Sequence, residues 1–438
     1  MRAIGRASAH PPIRWVVLAM LFLVAAVIFV QRMCIAIAAP SMEAALRLSP
    51  VQMGWIFSSF LVGYVILQVP GALYGERLGA RRTILWLGSL AIVCTLLTAA
   101  VPGNLGVAPA LCSLLLVRFI LGLSQAPIFP IGAGVIMRWF PPGRWSLPNA
   151  LISGGISLGA AATPLLLANI IAAIGWRAAV AIVAAMGTII LGFWWPLVRD
   201  RPAEHPLITS EELYFIGTRQ DVASDASWLV VKQLFSVPQV VALSVSYLLQ
   251  SYVIYVFIFW LYTYLTVQRG LTLLASGELA SVPFVVAAAV SPFGSALSDW
   301  LVRRGHARWG FRSVPMVALV LAAGALWLAV HAGDTYVALF DLSLCFSLVQ
   351  MTDGVYWGAM TTLAPNHAPI ATGILNTFGN IGGVICTPVI PWVAEHLGWV
   401  DALLTSCVAA LLGAALWLLV YPDRSVLTSV FDPKCTDA

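Results

Sequence analysis

The sequence predicts an all-α membrane protein of twelve transmembrane helices, arranged as two pseudo-symmetric six-helix halves. Three observations predict it. Of 438 residues, 61% are hydrophobic and only 9% charged, with mean hydropathy +0.93; a soluble domain carries about 25% charged residues. Apolar runs of around 20 residues, the length that crosses a bilayer about 30 Å thick, recur along the whole chain. Motifs in the first half reappear in the second at a fixed offset.

The runs of the first half are Trp15–Ala38, Met53–Tyr74, Thr83–Val101, Ala110–Trp139, Leu147–Ile174 and Ala178–Val198. Those of the second are Pro238–Val267, Gly277–Ser298, Val314–Ala332, Tyr336–Leu363, Pro369–Glu395 and Val400–Tyr421. An even number of spans puts both termini on one side. Eighteen Lys and Arg residues lie in the tails and loops of that side, and only Arg47, Arg177 and Arg269 lie opposite. Positive charge gathers in cytoplasmic loops, so both termini are expected in the cytoplasm of a multi-pass inner-membrane protein. The net charge of +5 is then a topology signal. No basic cluster stands free of the membrane, so a lipid bilayer is the expected partner and nucleic acid is not. The first apolar run is too long for a signal-peptide core and reads as a retained helix. The seven cysteines are scattered without paired spacing, which predicts neither disulfides nor a metal site.

The longest polar stretch divides the chain into an N-terminal six-helix bundle (1–198), a cytoplasmic linker (199–237) and a C-terminal bundle with tail (238–438). Within the linker, Thr209 with Glu212 three residues on makes a capping-box pattern that starts a short helix. The repeat is visible in two places. Gly71 and Glu76 recur as Gly294 and Asp299, offset by 223; Gly155, Gly159, Thr163 and Pro164 recur as Gly379, Gly383, Thr387 and Pro388, offset by 224. Two similar halves with a site between them near the midplane are a transporter signature. The paired glycines are expected to let helices pack closely. The turn Gly71–Arg82 is expected to support a conformational cycle through Glu76, Arg77 and Arg81, with Asp299 and Arg303 as its second-half counterparts.

Two arginines lie inside apolar spans. A charge near the bilayer centre costs roughly 2.5–3.5 kcal/mol on insertion scales, and it is tolerated when it faces a protein interior and meets a partner there. Arg32 and Arg118 have no carboxylate within a helical turn or two on their own segments. Both are candidates to hold an anion, with Arg32 the clearer, because a guanidinium grips a carboxylate through two parallel hydrogen bonds. The bland alternative is an arginine bonded to backbone carbonyls. Asp353 is the one acid in the middle of a second-half span, and Trp357 follows at i+4. Other polar side chains that fall on spans are Tyr64 and Gln68, Gln250 with Tyr252 and Tyr255, and Asn376 with Asn380. Each can read cargo atoms or serve helix packing. No nucleophile–base set, phosphate loop or metal spacing is present, so an enzyme is not expected.

These residues carry a resemblance. PGALYGERLGARR after span two resembles the corresponding loop of the major facilitator superfamily. RFILGLSQAPIFP in span four, MRWFPPGRW after it, SGGISLGAAATP in span five and GWR at its end are similar to the anion:cation symporter family. RPAEHPLITSEEL, FWLYTYL, ALSDWLVRRG and GILNTFGNIGGVICTP fit it too. The resemblance covers nearly the whole chain, and its strength lies in the order and spacing of the motifs. It implies the major facilitator fold and uptake of a small organic anion, a carboxylate such as a sugar acid, usually proton-driven. It favours Tyr64, Trp357, Asn376 and Asn380 as cargo contacts, in a monomer that needs no cofactor beyond the coupling proton. Two departures matter. The family often carries Asp where this chain has Gln31, and Glu where it has Gln125. An amide matches a protonated acid in shape but does not titrate, so Gln31 and Gln125 are expected to bind cargo without carrying its proton. Asp353 is therefore the proton-coupling candidate, and an uncoupled facilitator or an anion exchanger is the alternative. Efflux of an amphiphilic drug-like compound is a further alternative, which the buried arginines disfavour.

Overall fold

The computed structural model describes residues 12–104, 106–141, 146–217, 228–304, 307–364 and 367–421, without the side chains of 69, 72–77, 146, 150, 228–229, 307 and 368–369. Among the described residues, twelve helical spans are long and apolar enough to cross a membrane. Spans one to six are Ile13–Leu46, Pro50–Leu78, Ala80–Ala100, the pair Val107–Gln125 and Ile128–Trp139, Ser146–Ile174, and Trp176–Leu197. Spans seven to twelve are Pro238–Phe259, Leu273–Arg303, Ala307–His331, Thr335–Leu363, Ala368–His396 and Trp399–Leu416. Span seven runs on through Leu261–Thr263 into a π-helical turn, Tyr264–Gln268.

One expected continuous run is broken. Span four stops at Gln125 and restarts at Ile128, because Pro127 has no N–H to give to the preceding turn.

The packing repeats between halves. Span one packs on five, two on four and three on six; seven packs on eleven, eight on ten and nine on twelve. The paired glycines set two of these contacts. A Cβ on Gly155 or Gly159 would lie 2.6 Å from the carbonyl oxygen of Phe22 or Ala26 on span one. On Gly379 or Gly383 it would lie 2.6 or 2.5 Å from the ring of Tyr247 or Tyr255 on span seven. Arginines close helix ends symmetrically as well. The last carbonyls of a helix lack intrahelical donors and attract cations. Arg81 at the start of span three donates to Trp195 O near the end of span six at 2.7 and 3.0 Å. Arg312 on span nine does the same for Leu418 O (2.7 Å) and Val420 O at the end of span twelve. At the other face, Arg177 reaches Val101 O (2.9 Å) and Arg269 reaches Ala332 O (2.7 Å), the ends of spans three and nine.

The halves meet through span two against eleven and span five against eight. The close contacts lie toward the face opposite the termini. Ser58 donates to Val384 O at 3.1 Å, Phe57 stacks on Phe259 at 4.8 Å, and a Cβ on Gly54 would fall 2.3 Å from Thr387 O. A Cβ on Gly277 would lie 2.7 Å from Pro164 O and 2.4 Å from the Ala168 side chain. The helices are thus in van der Waals contact across the seam at that face.

The linker differs from the capping-box expectation. Thr209 accepts from Glu212 N at 3.1 Å, but the Glu212 carboxylate does not return to Thr209. It accepts from Ile13 N and Arg14 N, both at 3.0 Å, and pairs with the Arg14 guanidinium at 3.6 Å. Span one begins after Pro12, which offers no side-chain cap, and an acid is stabilised at a helix N-terminus. Glu212 therefore fastens the linker to span one. A second linker helix, Trp228–Phe235, leads into span seven.

Candidate substrate site

Arg32 sits at the seam, 7% exposed. Its Nη2 donates to the Tyr255 hydroxyl of span seven and to Asn380 Oδ1 of span eleven at 3.3 Å. Tyr255 in turn donates to Asn380 Oδ1 at 2.8 Å. The three form a closed triangle joining the two halves. The rings of Phe60, Tyr64 and Tyr255 each lie 5.2 Å from the Arg32 guanidinium carbon, within the range of cation–π attraction. Arg32 Nε is buried with no hydrogen-bond partner. Among the described residues no carboxylate pairs with Arg32 or Arg118; the ion pair found there is Arg14–Glu212.

Arg118 is placed differently. It is 1% exposed, and its Nη2 donates to the backbone carbonyl of Arg32 at 3.2 Å. That bond holds the turn of span one that carries Arg32; the Arg118 guanidinium carbon lies 5.3 Å from the Phe60 ring, and its Nε, like that of Arg32, is buried without a partner. Gln125 and Gln31 meet directly, Nε2 to Oε1 at 3.1 Å, and both are buried. The two positions at which the family resemblance implies acids are thus one contact, occupied by two amides.

On the second half, Asn380 Nδ2 donates to Asn376 O at 2.8 Å, and its Asn376 Oδ1 contact is 3.5 Å. Gln250 turns away from the seam to Val349 O on span ten at 3.3 Å. The expected patch of Gln250, Tyr252 and Tyr255 is split. Three residues on a helix turn by about 300°, so Tyr252 reaches Thr405 on span twelve (2.9 Å) while Tyr255 reaches Arg32. Gln68 lies one turn beyond Tyr64, with a buried, unpartnered Oε1.

Asp353 accepts from the Tyr247 hydroxyl at 2.8 Å, and Trp357 Nε1 donates to that same hydroxyl at 3.3 Å. Tyr247 was not among the sequence candidates. As one tyrosine among several on span seven it carries no distinguishing pattern until spans seven and ten are packed. Of the residues expected to support gating, Arg81 ties span three to span six, and its backbone N–H is taken by Asp200 Oδ1 at 2.8 Å. Asp299 and Arg303 are exposed at the terminal face. The side chains of Glu76 and Arg77 lie outside the described residues.

Two six-helix halves with a polar seam between them are the build of a membrane transporter. Residues 21–371 match the Major Facilitator Superfamily, and the chain belongs to that family, whose members are transporters and not enzymes. The probable galactarate/D-glucarate transporter GudP of Bacillus subtilis is 26% identical over 434 residues, covering 96% of this chain and 95% of that one. The D-galactonate transporter of Escherichia coli is 25% identical over 430 residues, covering 94% and 96%. A bacterial homologue of the human lysosomal transporter Spinster, solved in an inward-facing and occupied conformation, shares the fold. It superposes with a TM-score of 0.75 at 16% identity, covering 97% of this chain and 100% of that one.

Proposed function

We propose that this protein is a secondary transporter that moves a small organic anion, a carboxylate of the sugar-acid kind, across the inner membrane by alternating access. Both termini lie in the cytoplasm, as the arginine distribution supports. The observation that carries the proposal is Arg32: a buried cation at the seam, bonded to residues of the opposite half and without an acid to neutralise it. Cargo carboxylate supplies the counter-charge through the guanidinium's remaining N–H groups, and Tyr255 and Asn380 orient the fork. The names of the sugar-acid relatives support the same cargo class.

Proton symport through Asp353 is the coupling this reading assigns, because the amides of Gln31 and Gln125 do not titrate. Facilitated diffusion or exchange is the second reading, and the Gln31–Gln125 contact favours it. Purified protein in liposomes, alkaline inside, tests both with labelled D-galactonate. Accumulation above the outside concentration, lost in Asp353→Asn, supports symport. Simple equilibration, or uptake that requires an internal anion, selects the second reading. Failure to move any carboxylate refutes the proposal.

A further inference from the structure

Arg32 is one pole of the seam, and an acid stands at the other. On span ten Phe340 and Leu344 are 69% and 42% exposed, marking the outward, lipid-side stripe. Asp353 follows Leu344 by nine residues. At about 100° per residue that is half a revolution, so Asp353 faces the bundle interior. It is nevertheless only half-buried, which opens it to the cleft between helices. Trp357, one turn on, shares its face, and its ring stands edge-on to Tyr247 at 6.4 Å. Tyr247 precedes Tyr255 by eight residues on span seven, about 12 Å along the helix toward the terminal face. Both tyrosine side chains meet span eleven, with the Tyr255 hydroxyl bonded to Asn380 and the Tyr247 ring against Gly379.

The charges along this wall are few. Asp353 is contacted by Tyr247 from span seven and by Trp357 on its own span, and among the described residues no Arg, Lys or His pairs with it. Arg118 stands behind Arg32, one N–H bonded to the Arg32 carbonyl. Gln31 and Gln125 are neutral and bonded to each other. The wall therefore offers one cation, then hydroxyls and amides, then one acid.

We propose that Asp353, oriented by Tyr247 and Trp357, reads the end of the cargo remote from Arg32, so that the cargo is a monocarboxylate whose far end donates hydrogen bonds, and dicarboxylates are rejected. A hydroxyl or ammonium group at that end donates a hydrogen bond to the Asp353 carboxylate. A second carboxylate there meets a like charge, and repulsive elements of this kind set specificity. The inference rests on Arg32 as the carboxylate site. It concerns ionised Asp353: the protonated form that symport through Asp353 would use carries no charge to oppose a second carboxylate.

Calorimetric titration of the purified full-length chain at neutral pH tests it with two matched pairs. D-Galactonate and galactarate differ only at the far carbon, a hydroxymethyl group in one and a carboxylate in the other. 4-Hydroxybutyrate and succinate repeat the comparison on a shorter chain. The hydroxy acid of at least one pair is expected to bind at least about tenfold more tightly than its dicarboxylate. Asp353→Asn, which keeps the shape, is expected to narrow that ratio about tenfold by strengthening the dicarboxylate. Tyr247→Phe, which leaves the acid but frees its orientation, narrows it partly. Equal or better binding of the dicarboxylate in both pairs, with affinity still dependent on Arg32, overturns the inference and leaves the proposed function standing. So does a ratio unchanged in Asp353→Asn. Binding that ignores Arg32→Gln, or no binding of any of the four acids, refutes the anion site itself and this inference with it.

Discussion

Arg32 and Tyr255 are 223 residues apart and share a hydrogen bond. That separation is the offset at which the Gly71–Glu76 motif recurs as Gly294–Asp299. The repeat therefore brings the same position of spans one and seven face to face, a guanidinium from one half against a phenol from the other. The bond lies on the axis relating the halves, where alternating access must break and remake contacts.

Removing the phenol isolates that bond. In Tyr255→Phe the ring stays beneath the Arg32 guanidinium and the hydroxyl bridge to Asn380 is lost. A hydrogen bond to a charged group contributes about 1.5–3 kcal/mol, and this one is present before cargo binds, so the melting temperature should fall, while carboxylate affinity should fall roughly tenfold because the guanidinium loses its orientation. Calorimetric titration with D-galactonate beside a thermal melt separates the two effects.

Restoring an acid beside span one should create a pH response. Gln125→Glu puts a titratable group at the position whose amide now lies 3.1 Å from Gln31. Its ionised form opposes an anion held at Arg32, and its protonated form mimics the amide. Affinity for D-galactonate should then strengthen as pH falls, more steeply than in the parent chain. Equal slopes for both proteins would show that the glutamine pair is remote from the bound anion.

The seam at Gly54 should govern closure. A Cβ there would lie 2.3 Å from Thr387 O, so Gly54→Val forces spans two and eleven apart at the face opposite the termini. Spin labels placed on the exposed outer ends of those spans should report a longer distance, and uptake should fall below about a tenth of the parent rate, since closure gates the cycle. Unchanged distances would mean that the contact is not needed to hold that face shut.

The linker should loosen in acid. His205 is 5% exposed, stands edge-on to Trp139, and its Nδ1 accepts from Leu207 N at 3.3 Å. Burial holds its imidazole pKa below the ordinary value of 6.5, with the nearby Arg199 charge acting the same way. A base depressed in the folded state stabilises it above the unfolded pKa, and the contribution is lost as pH falls toward the folded value. Hydrogen exchange across residues 200–216, corrected for the intrinsic rate, should speed up as pH drops below 6.5. His205→Asn should remove that extra dependence.

The spans, the linker and the two halves were legible because each is written locally, in apolar length, loop charge and repeated glycine spacing. The break in span four was written there too, in Pro127, but a single proline does not say whether a membrane helix kinks or stops. What was illegible is which face meets which neighbour. Arg32 and Arg118 look alike as buried charges, yet one faces the seam and the other the carbonyl behind it. Glu212 reads as a cap for its own helix and instead caps span one, 198 and 199 residues away. Tyr247 matters only because span ten brings Asp353 against it. These are long-range pairings, fixed by packing and not by spacing along one segment.

If Arg32 holds the cargo's carboxylate, removing its charge must weaken binding. Arg32→Gln keeps a hydrogen-bonding side chain for Tyr255 and Asn380 while removing the charge. Losing a charge-assisted pair of about 2 kcal/mol or more should weaken the binding of D-galactonate at least about thirtyfold in protein that melts as the parent does. Undiminished affinity in folded Arg32→Gln would mean that the carboxylate is held elsewhere.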